Sequence, residues 1–417
     1  MPCHMMAQVK MAEERSADES AAGTLPGLGQ ARLFQLTKPP SIEALQSVCS
    51  RKTRPEDYPL AESIQDGIPI YRLAPYDTTN TEQRAALQDE LYRVLLDGPG
   101  VFVTKALFAD HDVVDRVSRV FDAIIAQEAQ AKTRKNGDHF AGEGTNDRIW
   151  NALEKHGVAD PASFLEYYSN RYLGLIANAW LGPGYRITAQ VNNVRPGAKA
   201  QVCHRDYHLG FMSAQQCAQL PRTIHVASQF LTLQGAVAHM DMPAASGPTR
   251  LLPYSQTLAA GYLAYRRPEF ADYFQRHHVA LPLEKGDGLF FNPALFHAAG
   301  ENQAAADRMA NLLQISSAFG KPMEAVDTLP LVDSCWHRLL TLFKQRGGAS
   351  EEVGALVAAM AEGYPFPTNL DRNAPTGDKM APESEQDVLW DCLRAGLVKE
   401  AAMERLESHR RRAARHQ

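Results

Sequence analysis

Apolar positions in the first part of the chain recur at helical spacing. Over Thr81–Leu96 they fall at Leu87, Leu91, Val94 and Leu95, the i, i+4, i+7, i+8 stripe of an amphipathic helix, and Asp97-Gly98-Pro99-Gly100 stops it. Val101-Phe102-Val103 then reads as a strand. A second helix is predicted from Asp110 to Gln130, with Val113, Val117, Val120, Phe121 and Ile124 on one side. Residues 136–144 are glycine-rich and charged and predict a loop, after which residues 161–182 return to a helical pattern.

After Gly184 the pattern changes period. Arg186–Val194 alternates as a strand does, Pro196-Gly197 makes a turn, and short strand-like runs follow at 200–204, 229–237, 250–252, 279–283, 289–291 and 309–316. Many short strands with Gly and Pro punctuation predict a sandwich or barrel, to which the N-terminal part adds helices. Beyond Gly320 helices are predicted over 331–343 and 352–361, then a polar, Pro-containing stretch from Tyr364 to Ser384, then a last helix ending near His409. The polar segment 1–27, closed by Leu25-Pro26-Gly27, is expected to be disordered. Residues 28–320 are expected to form the main α+β domain with a mainly β core, and 321–417 a helical extension.

The 417 residues carry 45% hydrophobic and 22% charged residues, ample for a sizeable core, and a formal net charge of −5. No concentrated basic face points to nucleic acid or a membrane surface; the short tail His409-Arg410-Arg411-Arg412 is expected to be a solvated helix end. Six cysteines lie far apart with no CxxC pair, which excludes a zinc knuckle or a dithiol motif and fits a reducing compartment. The first 24 residues lack a sustained apolar run, so a cytoplasmic protein is expected.

Candidate chemistry centres on His204-Arg205-Asp206. On a strand, alternate side chains share a face, so His204 and Asp206 can point together while Arg205 points away. The best third partner is His297, after the turn and apolar strand Gly286-Asp287-Gly288-Leu289-Phe290-Phe291. Two histidines and one carboxylate, with positions left open, suit non-haem Fe(II) that must also bind a co-substrate and O2. Arg308 lies where a hairpin would return its guanidinium towards the metal, suited to bidentate recognition of a dicarboxylic co-substrate.

The segment from about Arg186 to Ser317 resembles the phytanoyl-CoA dioxygenase family of 2-oxoglutarate oxygenases. The matching pieces are Pro196-Gly197, Gln201-Val202-Cys203-His204-Arg205-Asp206, Ser246-Gly247-Pro248-Thr249-Arg250-Leu251-Leu252-Pro253-Tyr254-Ser255, and Gly286-Asp287 through His297 to Arg308. Asp97-Gly98-Pro99-Gly100-Val101 is similar to the family's entry into its first strand. The resemblance implies a double-stranded β-helix (jelly roll, cupin-like) with flanking N- and C-terminal helices. It implies iron on His204, Asp206 and His297, and Arg308 on the C5 carboxylate of 2-oxoglutarate. Gln201, Thr249 and Asn193 match positions near the co-substrate. The implied activity is hydroxylation of a small organic molecule with release of succinate and CO2. Asp206 occupies the position that halogenating relatives leave to chloride, so halogenation is not expected. Tyr254-Ser255-Gln256, where the family has Gly-Ser-His, is expected to alter the pocket wall, and Ala299 removes a hydroxyl that many members have.

Other histidines are weighed against this set. His208 is expected to lie on the same strand face as Asp206, behind the metal or facing substrate, with a place as a substitute metal ligand as the lesser alternative. His225 and His239 are expected to be structural, although His239-Met240-Asp241 repeats the HxD spacing and is the main rival. The loop 138–144, with Asn146, Arg148 and Trp150 after it, reads either as a cover over the site or as a surface connection, and Tyr207 and Phe211 either line a pocket or fill the barrel. A monomer or a homodimer is expected, with a small-molecule substrate as the partner. Two other readings stand beside the oxygenase: a non-catalytic β-helix binding protein, and a zinc hydrolase using the same three ligands.

Overall fold

Asn80 accepts hydrogen bonds from the backbone N–H groups of Glu82 and Gln83, which starts the helix Thr81–Leu96 where the apolar stripe begins. Its end is set by Gly98 and Gly100, whose N–H groups return to Arg93 and Val94 carbonyls, with Gly100 at φ +78°. The structure, a computed structural model, describes residues 31–130, 146–364, 369–375 and 377–413. The expected disorder of residues 1–27 and the loop 136–144 therefore lie outside the described residues.

The strands are β1 (Ser63–Gln65), β2 (Ile68–Arg72), β3 (Val101–Lys105), β4 (Asn146–Ile149), β5 (Arg186–Val194), β6 (Thr232–Ala238), β7 (Arg250–Leu252), β8 (Gly288–Phe291), β9 (Phe296–Ala298) and β10 (Arg308–Ser316). Eight form one sheet in the order β1-β2-β3-β8-β6-β10-β5-β4, antiparallel except for β2 beside β3. β7 pairs with β9 separately, and single bridges join His204 to His297, Leu251 to Val279 and Met242 to Leu283.

Two expected strands thus appear as isolated bridges. Over 200–206 the hydrogen bonds run from Gln201 to Ala299, His204 to His297 and Asp206 to Pro293, so the register slips at each step and no continuous ladder forms. The run 229–237 is also displaced, because Gln229 and Phe230 end the helix Arg222–Phe230. The helical stretch 161–182 is two helices, Pro161–Tyr168 and Arg171–Leu181, with Asn170 capping the second. The last helix is likewise two, Glu385–Arg394 and Lys399–Ala413, broken by Gly396 at φ +60°.

The large sheet has two different faces, as strand alternation requires. On one face Ile187, Ala189, Val191, Leu233, Val237, Phe290, Leu313 and Ile315 join a single apolar cluster with the N-terminal helices. Leu331, Val332, Trp336 and Leu339 of the helix Thr328–Gln345, and Val353, Leu356 and Val357 of Glu351–Met360, belong to that same cluster. The opposite face carries Gln190, Asn192, Gln234, Ala236, Ala238, Ala310, Leu312 and Gln314 and walls a cavity closed on its far side by the smaller strands. The five described cysteines are free thiols. Among the described residues no helix is long and apolar enough to cross a membrane.

Two predictions follow from this core. Trp336→Ala removes a fully buried side chain and should destabilise the protein by about 3–5 kcal/mol, read as a lowered denaturant midpoint. Burial lowers the His156 and His239 pKa values to about 4 and about 3, whereas an unfolded chain titrates near 6.5. The unfolded state therefore binds more protons between those values. Stability should be full above pH ~6.5 and fall as pH drops through the folded pKa values. A midpoint flat from pH ~7 to ~4.5 would contradict this.

Candidate active site

His204 and His297 face each other as one antiparallel pair, donating N–H to each other's carbonyl at 2.9 and 3.0 Å. Residues opposite one another in such a pair put their side chains on one face, and the two imidazole centroids lie 4.4 Å apart. Asp206, two residues beyond His204, brings Oδ2 to 3.6 Å from His297 Nε2. One ligand atom from each of the three falls within 4.8 Å of the others.

The proton positions follow from the partners. His204 Nδ1 lies 2.8 Å from the Val202 carbonyl, and His297 Nδ1 lies 2.9 Å from that of Leu295. A carbonyl only accepts, so Nδ1 carries the proton in both rings and the Nε2 lone pair is presented to the site. Burial, with His297 beside it, lowers the His204 pKa and favours this neutral, ligating form. Burial also pushes the Asp206 carboxyl up, but in the metal-free site the two imidazoles, once protonated at Nε2 as well, and the amide of Gln234 outweigh it and hold it below the usual carboxylate range. Gln234 Nε2 donates to Asp206 Oδ2 at 2.7 Å.

Arg205 points away, as alternation predicts, and braces the other side of this segment. Its Nη2 donates to the Ser255 and Leu258 carbonyls, and its guanidinium lies over the rings of Tyr262 and Phe296. Tyr262 Oη in turn donates to the Asp206 carbonyl at 2.8 Å.

A cavity of about 390 Å³ contains the triad together with Arg308, Gln201 and Thr249. Arg308 is 6% exposed, and burial lowers its pKa to about 10. Its Nη1 donates to the Ser246 carbonyl at 3.0 Å, and no described carboxylate pairs with it. Its neighbour Asp307 instead accepts from Asn193 Nδ2. Gln201 gives its Oε1 to the Ala299 N–H, which leaves its NH2 available to a ligand oxygen. Arg250 holds that strand by donating to the Gln201 carbonyl. Asn193 does not line the cavity: it pairs with Met309, so its side chain lies on the helix-covered face, and Asn192 lines the cavity in its place.

Several other expectations change. The strand does not continue past Asp206; His208 falls in a short 3-10 turn, near Ser228, outside the ligand group and the cavity lining. Tyr254, Ser255 and Gln256 do not form the pocket wall. Gln256 Nε2 donates to the Gly98 carbonyl and its amide packs where a Cβ on Gly100 would lie, while Ser255 Oγ bonds Leu252 and Phe296 backbone. His239 is structural, with Ser118 Oγ at Nδ1 and Tyr167 Oη at Nε2, and Asp241 accepts from the Lys285 N–H, so this second HxD holds no open lone pairs together. His225 is also structural, with Nε2 on the Cys217 carbonyl. Phe211 and Arg148 line the cavity; Tyr207 is buried beside it. Gln234, which orients Asp206, is not among the residues the sequence singles out, although a carboxamide inside Thr-Leu-Gln-Gly-Ala-Val-Ala is a visible anomaly in a buried strand.

The donor set fits a divalent metal, with two Nε2 atoms and one carboxylate on one side of a cavity and the other side open. His204→Ala, Asp206→Ala and His297→Ala should each abolish stoichiometric binding of Fe(II), or of Co(II) as a probe, in equilibrium dialysis. Gln234→Leu, which frees the carboxylate without removing a ligand, should weaken metal binding by about 10–100-fold. An unchanged affinity in Gln234→Leu would show that the amide contact does not support the site.

Comparison with known proteins gives the family. The family model described as Phytanoyl-CoA dioxygenase matches residues 76–310. The chain is similar to "Dioxygenase olcK" of Penicillium canescens, at 23% identity over 260 residues, covering 58% of this chain and 74% of the relative. Among solved structures it is similar to the non-heme alpha ketoglutarate dependent epimerase SnoN from nogalamycin biosynthesis (16% identity, TM-score 0.39, 56% of this chain and 84% of that one). It is also similar to the carbocyclase SnoK from the same biosynthesis (18% identity, TM-score 0.38, 56% and 86%). The family match spans more than half of the chain, and the protein belongs to the phytanoyl-CoA dioxygenase family of iron(II)- and 2-oxoglutarate-dependent oxygenases.

Proposed function

We propose that this chain hydroxylates a small organic molecule, with His204, Asp206 and His297 holding the iron and Arg308 anchoring 2-oxoglutarate. The observation that carries this reading is Arg308. A guanidinium buried beside a three-ligand metal group, with one backbone carbonyl and no described carboxylate as partner, is costly unless an anion joins it. The far carboxylate of 2-oxoglutarate supplies that anion. A zinc hydrolase or a binding scaffold has no use for it.

With iron(II) and 2-oxoglutarate bound, O2 supplies the oxidising equivalents, so that 2-oxoglutarate leaves as succinate and CO2 and the substrate gains one oxygen. The protein's own work is positioning and shielding. Gln201 offers its NH2 to a co-substrate oxygen and Thr249 its hydroxyl, both at the cavity wall. Gln234 holds the Asp206 carboxylate in place through Oδ2, the oxygen that faces His297. Ala236, Ala238, Met242, Leu283, Phe291 and Leu312 make much of the remaining wall apolar, which keeps water from the reacting atoms.

The strand pairings support a double-stranded β-helix. β5, β10, β6 and β8 make one wall, and residues 200–206, β9, β7 and 279–283 make the other, with the metal group at the seam of 200–206 and β9.

The test is anaerobic loading with Fe(II) and 2-oxoglutarate, addition of O2, and measurement of succinate with and without a compound library. Substrate-stimulated succinate, absent in His297→Ala, is expected. Arg308→Met should raise the KM for 2-oxoglutarate at least tenfold, with Arg308→Lys in between, because an ammonium keeps the charge but not the fork. Absence of both succinate and 2-oxoglutarate binding in the iron-loaded wild type would refute the oxygenase reading.

A further inference from the structure

Four carboxamides stand on the sheet wall of the cavity, and three of them are not engaged with the metal group. Gln190 and Asn192 on β5 and Gln314 on β10 are 2%, 7% and 7% exposed. Gln190 is fixed by Arg148 Nη1, which donates to its Oε1 at 2.9 Å, and its side chain also bonds the Met323 sulfur and the Glu324 carboxyl. The side chains of Asn192 and Gln314 form no hydrogen bond with a described residue, and Asn192 Oδ1 and Gln314 Oε1 are buried without a partner. Asn193, Gln256 and Asn311 also leave an amide oxygen unpaired, but each is held through its nitrogen. Asn192 and Gln314 are held at neither end and line the cavity, which points to a ligand.

Their placement follows from the register. Asn192 pairs with Ala310, Gln190 with Leu312 and Thr188 with Gln314, so the amides stand at successive inward levels of the sheet, about 7 Å apart. Gln314 also lies directly opposite Gln234, whose amide holds Asp206. One end of the row is therefore beside the metal ligands. The charges on the wall are already committed: Asp206 to the metal group, Arg205 to backbone carbonyls, Arg148 to Gln190 and Arg308, on the oxygenase reading, to 2-oxoglutarate. What remains for a substrate is neutral hydrogen-bonding capacity at two levels, in a cavity of about 390 Å³, at the small end of ligand pockets.

We propose that Asn192 and Gln314, with Gln190 between them, are the specificity-determining residues for an elongated, uncharged substrate that carries hydroxyl or keto oxygens near both ends. An acyl-CoA, a phosphate ester or a fatty acid does not match this wall. The inference rests on the oxygenase reading only in assigning Arg308 to the co-substrate.

The test uses a matched series on one frame: 4-acetyl-4′-hydroxybiphenyl, 4-ethyl-4′-methylbiphenyl and 4′-hydroxybiphenyl-4-carboxylate. Binding to the protein loaded with Fe(II) and 2-oxoglutarate, without O2, is measured by equilibrium dialysis, with thermal melting of the metal-free protein as a second readout. The keto-phenol should bind at least tenfold more tightly than either the hydrocarbon or the carboxylate. Asn192→Leu and Gln314→Met, close in volume to the native side chains, should each weaken its binding about tenfold and leave that of the hydrocarbon unchanged. Equal affinity across the three compounds in the wild type would overturn the proposal, as would folded variants that bind the keto-phenol like the wild type. The 2-oxoglutarate affinity of the same wild-type samples separates the two readings: its absence refutes the oxygenase, whereas its presence with no preference for the keto-phenol refutes the amide row alone.

Discussion

The site depends on one backbone pairing, the reciprocal hydrogen bonds between His204 and His297. That pair makes two residues far apart in sequence share a face, and strand alternation adds Asp206 to the same face without further machinery. The rest of the local structure preserves this pair. Carbonyls of Val202 and Leu295 set the tautomers, Gln234 restrains the carboxylate, and Arg205 ties the back of the strand to the 255–258 carbonyls. The register slips on either side of the pair, so its geometry is held by side chains and loop contacts rather than by a long ladder.

The large sheet separates stability from chemistry. One face is covered by helices from both ends of the chain in a single apolar cluster, and the other bears the cavity. The strands that carry Arg308, Gln314, Gln234 and Asn192 are thus rigidly backed, while their inward side chains are spared from packing and remain available to ligands. The C-terminal helices contribute to this backing directly, through Leu331, Trp336 and Val357.

Departures from the family pattern show why position in sequence is not position in the site. Tyr254-Ser255-Gln256 replaces a familiar motif, yet these residues serve the turn at 98–100 and the β9 backbone rather than the cavity. Ala299 does line the cavity, but its backbone N–H, not its side chain, makes the relevant contact, with Gln201. Asn193 and Asn192 differ by one residue and therefore lie on opposite faces of the sheet, the one bonded to Asp307, the other in the cavity.

The sequence by itself determined what is local or carried by motif. The helix Thr81–Leu96, most of the longer strands, the shared face of His204 and Asp206, and the family with its iron and 2-oxoglutarate were legible, because periodicity and spacing encode which side chains point together. Tertiary structure decided what depends on register between distant segments. It placed His297 opposite His204, turned Asn193 out and Asn192 in, removed His208 from the site, satisfied both nitrogens of His239, and set Gln234 on Asp206 with Gln314 across from Gln234. No single segment holds that information, since a shift of one residue in pairing exchanges the two faces of a strand.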